Sequence, residues 1–238
     1  IHFQIYENGL DVARDLSLSR LDLGIAPILA GFMFCSLGAP FKIIAPAGSG
    51  GSSVVSATRE LHSSPRVATT KLSTMELLMK TSIHEHFLAE RSAVIYASNP
   101  REITKGMVSK QFDAACIWEP YATILTKKHC LTKIVTYNDL EDHICCTLSA
   151  SNTLSDRIMS KIAKRFKASI LEFSRAPDSF LDQYSKITGF DQKIINAVSQ
   201  EYSYSTELES NSITRQFEHA GITTPDPSTI KDMIRSAE

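Results

Sequence analysis

Apolar and polar positions change rhythm every few residues along the first half of the chain. Ile1 to Tyr6 alternates like a half-buried strand, and Asn8-Gly9 closes it with turn chemistry. Leu10 to Leu18 has the spacing of a short helix, and Leu21 to Ile25 reads as a second, buried strand. Pro27 suits the first turn of a helix that runs to about Leu37 and stops at Gly38. Phe41 to Ala45 is a third strand, so the opening is a β-α-β-α-β alternation, which predicts a largely parallel sheet.

The alternation continues. Ala47 to Gly51 is a small-residue loop and Ser52 to His62 a helix; Val67 to Thr70 is a strand and Ser73 to Lys80 a helix. Ser73-Thr74-Met75-Glu76 is a capping box, in which the serine accepts a backbone N–H and the glutamate reaches back. Val94 to Ala97 is a strand, and Asn99-Pro100-Arg101-Glu102 repeats the helix-start signal. Strands at Phe112 to Trp118 and Lys133 to Tyr137 flank a short helix at Pro120 to Lys128, and Ile144 to Ser149 ends the strand-bearing part. Leu154 to Phe173, Pro177 to Thr188, Gln192 to Tyr202, Glu207 to Ala220 and Ser228 to Ile234 then form a helical tail. No repeat or flexible linker divides the chain, so any domain division has to come from strands that cross between domains.

Composition removes whole classes. The chain has 238 residues, 43% of them hydrophobic, and a formal net charge of -1; this is too apolar and too neutral for disorder and lacks the basic blocks of a nucleic-acid binder. The most apolar stretch, Ile25 to Leu37, is too short to span a bilayer and contains Pro27 and Gly31. The five cysteines, Cys35, Cys116, Cys130, Cys145 and Cys146, contain no C-x-x-C, so buried small hydrophobes are expected instead of a disulfide scaffold or zinc ribbon. The first residue is isoleucine, which leaves an exported origin open.

Candidate chemistry concentrates at strand-to-helix junctions. Gly48-Ser49-Gly50-Gly51-Ser52-Ser53 lacks the lysine of a P-loop and the third glycine of a dinucleotide fingerprint. It is either a tight turn or a loop whose backbone N–H groups meet an anion at a helix start. Thr70-Lys71-Leu72-Ser73-Thr74 is a second hydroxyl-rich helix start, and the two together would make opposed anion donors. Trp118-Glu119-Pro120-Tyr121 is either core and turn or the wall of a small-molecule pocket. Ile83-His84-Glu85-His86 and His143-Ile144-Cys145-Cys146 lack metal-ligand spacing, and no G-x-S-x-G is present. No catalytic residue, cofactor or metal is therefore expected, and Glu119 is the one candidate pocket residue able to exchange protons readily.

Taken in order, Ser19 to Pro27, Leu37 to Ala45, Gly48 to Ser53, Phe112 to Ala115, Trp118 to Thr123 and Tyr184 to Gly189 resemble the periplasmic substrate-binding proteins of ABC transporters, in the branch of alkanesulfonate, nitrate, taurine and thiamine-precursor binders. The resemblance covers nearly the whole chain. It implies the α/β fold of type II periplasmic binding proteins: two α/β lobes around a central cleft, with a helical C-terminal tail. Lobe I would comprise residues 1–66 plus 142–238 and lobe II residues 67–141. Ala26, Pro27, Ile28, Gly50, Gly51 and Ser52 would face the cleft as helix starts of lobe I, with Leu72, Ser73, Thr74, Asn99, Trp118, Glu119 and Tyr121 opposite. Relatives begin with a further strand and helix before the segment matched by Ile1 to Glu7.

The implied function is non-catalytic capture of a small anionic or zwitterionic organic molecule by a monomer. The captured ligand would be delivered to an ABC transporter permease, from a periplasmic or extracellular location reached through a signal or lipid anchor; a cytosolic location stays open. Two alternatives from other classes are an enzyme on the same fold, as in menaquinone or thiamine biosynthesis, and a cytosolic ligand-sensing domain.

Overall fold

The computed structural model describes residues 2–85, 88–136, 144–175, 178–203, 207–224 and 227–234. Ile1, His86, Tyr137, the 141/142 boundary, His143 and Pro177, all named above, lie outside the described residues. Helix α1 (Gly9–Ser17) starts where Asn8 Oδ1 accepts the amide of Leu10 at 3.0 Å. It buries Val12, Ala13 and Leu16 against β1 (Leu23–Pro27). Helix α2 (Ile28–Ser36) and β2 (Phe41–Gly50) follow, with Pro27 as the helix cap.

The chain then enters a second sheet: β3 (Ser52–Ser56), β4 (Arg66–Thr70), α3 (Thr74–His84), β5 (Ala93–Ala97), α4 (Pro100–Val108), β6 (Ala114–Trp118), α5 (Tyr121–His129) and β7 (Thr132–Thr136). It returns through β8 (Cys146–Ser151). The tail comprises α6 (Asp156–Arg175), α7 (Asp178–Thr188), α8 (Gln192–Val198), a 3-10 turn (Ser199–Glu201), β9 (Tyr202–Ser203), α9 (Ser210–His219) and α10 (Pro227–Met233). Two sheets and ten helices are present among the described residues, an α/β architecture.

Three expectations are corrected. Ser52 to His62 is not a helix; Ser52–Ser56 is a fully buried strand, and its Val54 and Val55 each pack into a core on one face of the second sheet. A lobe boundary at 66/67 would therefore cut this strand from its sheet. Secondly, the sheets are not largely parallel: the strand pairs of the first are antiparallel and the second is mixed. In the first, ordered β1-β8-β2-β9, β8 returns between β1 and β2 and runs antiparallel to both. In the second, ordered β5-β4-β6-β3-β7, β3 enters between β6 and β7 and is antiparallel to both, while β4 is parallel to β5 and β6. The crossing strands are what interrupt the parallel order. Thirdly, residues 2–6 form no strand, and Phe3 and Ile5 are 90% and 81% exposed. Alternation alone does not make a strand; a neighbour must complete the ladder.

One apolar core runs through both sheets. Ile28 and Phe32 of α2 and Ile43 of β2 pack in the same cluster as Val54 of β3, Leu78 of α3 and Cys116 of β6, with Ile213, Phe217 and Ile230 of the tail. Phe32 and Phe217 meet edge to face, ring centres 5.6 Å apart. Helix α6 covers the other face of the first sheet with Met159 and Ala163 against Ile44 and Leu148.

Candidate functional site

Because β4 and β6 are parallel neighbours, they bring Thr70 and Trp118 to the same edge of the second sheet. The antiparallel β3 begins at that edge, with Ser52 opposite Trp118. Helix α3 starts there too. Ser73 Oγ accepts the amide of Glu76 at 3.3 Å and donates to the carbonyl of Thr70 at 2.6 Å. The Glu76 carboxylate reaches back to the amide of Leu72 at 2.7 Å, holding that residue at φ 52° in the left-handed region. Glu76 also accepts from Tyr96 Oη at 2.9 Å; burial first, then this bond, pushes the phenol up to about 12. Ser52 Oγ and Thr70 Oγ1 are buried, and neither has a hydrogen-bond partner.

The first sheet meets this edge at the carbonyl of Cys145. Cys145 O accepts the amide of Ile28, the first residue of α2, at 3.0 Å and the hydroxyl of Thr74, the first residue of α3, at 2.6 Å. The amide of Cys145 in turn donates to Gly48 O at 2.9 Å. Pro27 and Ile28 are thus at the meeting point of the sheets, but the Ile28 N–H is already engaged by the protein. Ala26 lies in the core between α1 and α2.

Gly50 and Gly51 do not start a helix as expected. They turn the chain from β2 into β3 at φ 70° and 67°. Gly51 donates to Glu201 O at 2.7 Å and accepts from the Glu119 amide at 2.8 Å. A Cβ at Gly51 would stand 2.2 Å from the Tyr202 ring, so only glycine lets the tail close on this turn.

Glu119 is a fastener and not the available proton carrier that the sequence suggested. Its side chain is 0% exposed; Oε1 accepts Lys133 Nζ at 2.8 Å and Oε2 accepts the Thr123 amide at 2.9 Å. Lys133 also reaches Glu201 at 2.9 Å, and Tyr202 Oη donates to the Glu119 carbonyl at 3.0 Å. Burial alone would lower the Lys133 ammonium, but the two carboxylates outweigh it and raise it. Beside this lock, a cavity of about 610 Å³ opens between α5, β7 and α8, lined by Thr126, Lys127, Thr132 and Lys133 among others; none of the expected ligand residues lines it.

Half-buried Trp118 contacts Tyr121 with ring centres 6.3 Å apart, and Tyr121 contacts Phe190 at 5.7 Å, both edge to face. This aromatic row joins the second sheet to the tail. Asn99 caps α4 by accepting the Glu102 amide at 3.0 Å, while Glu102 accepts the Ser98 amide at 2.8 Å. Capping thus accounts for Asn99 as it stands. The structure therefore brings together Ser52, Ser73, Thr74 and Trp118 with Pro27 and Ile28. Sequence reasoning flagged Thr70 within its hydroxyl-rich helix start but missed the site roles of Cys145, Lys133, Phe190, Glu201 and Tyr202, which act across long separations with no local signature. Among the described residues, no group of three or more His, Cys, Asp and Glu is placed to hold a metal ion, and no helix is long and apolar enough to cross a membrane.

No protein-family model matches the chain, and no curated protein matches it in sequence. Solved structures do. The alkanesulfonate-binding protein of Xanthomonas axonopodis pv. citri, bound to MOPS, superposes with a TM-score of 0.80 at 14% identity over 97% of this chain and 86% of that one. The periplasmic aliphatic sulphonate-binding protein of Escherichia coli gives 0.74 at 14% identity, over 91% and 78%. A Candida albicans gene product described as having the generic periplasmic binding protein fold gives 0.75 at 9% identity, over 98% and 85%.

Proposed function

From the premise that this chain has the periplasmic binding protein fold, we propose that it is a solute-binding protein of an ABC importer. It captures a small anionic or zwitterionic organic molecule, of sulfonate, carboxylate, nitrate or pyrimidine-precursor type, between its two sheets and presents it to a membrane permease. The lobes of this reading are residues 2–50 with 144–234, and residues 52–136, each built around one sheet. The protein works as an exported monomer.

The observation that carries the reading is the pair of buried hydroxyls on Ser52 and Thr70 that lack partners at the edge where α3 begins and Trp118 ends its strand. A buried hydroxyl without a partner costs about 1–3 kcal/mol, and a ligand oxygen there would recover it. The start of α3 adds the positive end of a helix dipole, which favours an acidic group. Trp118 and Tyr121 give the organic portion an apolar wall. Contacts that need both sheets favour the closed arrangement when ligand is present.

The reading is tested by native mass spectrometry for a co-purified molecule and by a thermal-shift panel of sulfonates, carboxylates, nitrate and pyrimidines. At 100 times its dissociation constant, a true ligand stabilises by roughly 2.7 kcal/mol. Trp118 is the only tryptophan, so its emission reports occupancy without interference. Absence of stabilisation across the panel together with unchanged Trp118 emission would overturn the proposal.

A further inference from the structure

Cys145 and Cys146 adjoin each other in sequence, yet their Sγ atoms lie only 3.5 Å apart, and both residues are partly exposed. Consecutive residues entering a strand normally direct their side chains to opposite faces. Here the two sulfurs are in contact, and the peptide between them carries the carbonyl that joins α2 to α3. We propose that this dithiol is a redox modification site, oxidised to a vicinal disulfide by an external disulfide, and that its oxidation loosens the junction between the sheets.

The step balances as thiol–disulfide exchange. Cys145, as thiolate, attacks one sulfur of the external disulfide and releases the other half as a thiol after it takes up a proton. Cys146 then gives up its proton, attacks Cys145 Sγ in the mixed disulfide and expels the second half. Two protein thiols are oxidised, and one external disulfide is reduced to two thiols. Hydrogen bonding to Cys145, and then burial, hold the Cys146 thiol well above the usual range, which disfavours Cys146 as the first nucleophile.

The mechanical consequence comes from covalent geometry. Neighbouring Cα atoms are about 3.8 Å apart across a trans peptide, below the roughly 4.4–6.8 Å usual between bridged cysteines. Closing the small ring must therefore rotate the peptide between the two cysteines, and its carbonyl is the one that accepts Ile28 N–H and Thr74 Oγ1. Oxidation withdraws this shared acceptor from both helix starts. The inference does not depend on the proposed ligand.

To test it, the folded protein is equilibrated with glutathione disulfide or with reduced glutathione, denatured in an alkylating reagent and mapped by peptide mass. The expected result is loss of two hydrogens confined to the peptide holding Cys145 and Cys146, with Cys35, Cys116 and Cys130 fully alkylated. Amide exchange at Ile28 is expected to rise roughly three- to tenfold in the oxidised protein, the scale of one lost hydrogen bond. It should stay at the reduced level in Cys146→Ser treated in the same way. Mapping on the unaltered chain stands even if that variant does not fold. A glutathione adduct that persists on Cys145, or no reaction at either residue, overturns the modification site. A disulfide that leaves Ile28 exchange unchanged overturns the coupling.

Discussion

Replacing Lys133 with alanine tests how the tail is fastened to the second sheet. The substitution removes the ammonium that pairs with Glu119, whose carboxylate is 0% exposed, whereas Lys133 and Glu201 are 21% and 31% exposed. Breaking a buried pair from one side costs about 3–5 kcal/mol, because the remaining charge is stranded; an exposed pair is worth about 0.2–1 kcal/mol. Since Lys133 keeps some contact with water, Lys133→Ala should fall near the lower bound, about 3 kcal/mol. In a chain of this size, that corresponds to a fall of roughly 6–12 °C in melting temperature. Glu201→Ala removes only the solvated arm and should cost less than about 1 kcal/mol. The double variant Glu119→Gln/Lys133→Met strands no charge and should cost less than Lys133→Ala alone. Because Lys133 is raised in the folded protein, its contribution is complete below the unfolded value, about pH 10, and is lost as pH rises through the folded one. Urea unfolding followed by Trp118 emission and circular dichroism measures all three. If Lys133→Ala and Glu201→Ala cost equal amounts below about 1 kcal/mol, the carboxylate is not stranded and the reasoning fails.

Gly51→Ala should destabilise by about 2–4 kcal/mol in the same assay, combining left-handed strain with the clash on Tyr202; adding Tyr202→Ala should recover the clash portion only. Ser52→Ala and Thr70→Val should each weaken the ligand found in the thermal-shift panel about fivefold by isothermal titration while leaving the melting temperature of the unliganded protein unchanged or raised, since each removes a buried hydroxyl without a partner. Asp113 receives Arg66 Nε and Nη2, both at 3.0 Å, and the Arg66 guanidinium holds its carboxyl well below the usual range. A depressed carboxyl stabilises above its unfolded value, near pH 4, and loses that contribution as pH falls through the folded one. Asp113→Asn should therefore be less stable at pH 7 and lose less on acidification, as read from urea midpoints between pH 7 and pH 2.

Helix starts were legible because capping is local. Ser73 with Glu76 and Asn99 with Glu102 cap their helices as read, although Glu76 grips Leu72 and not its own cap residue. The succession of elements was readable for the same reason. Ser52–Ser56 differs from the reading because the preceding β-α alternation called for a helix, whereas Val54 and Val55 are claimed by cores on two faces of a sheet in which the two partner strands of β3 lie more than fifty residues away. Hydroxyls and the tryptophan stood out by residue type. Nothing local marks Lys133 as the partner of both Glu119 and Glu201, or Cys145 as the acceptor for Ile28 and Thr74, because these contacts exist only after the chain has crossed between sheets twice.

The cluster that unites Ile28, Phe32, Val54, Leu78 and Phe217 has a thermodynamic corollary. Melting either half would wet the apolar surface of the other, so the unfolding enthalpy should be absorbed, and the heat capacity should rise, in one transition rather than two.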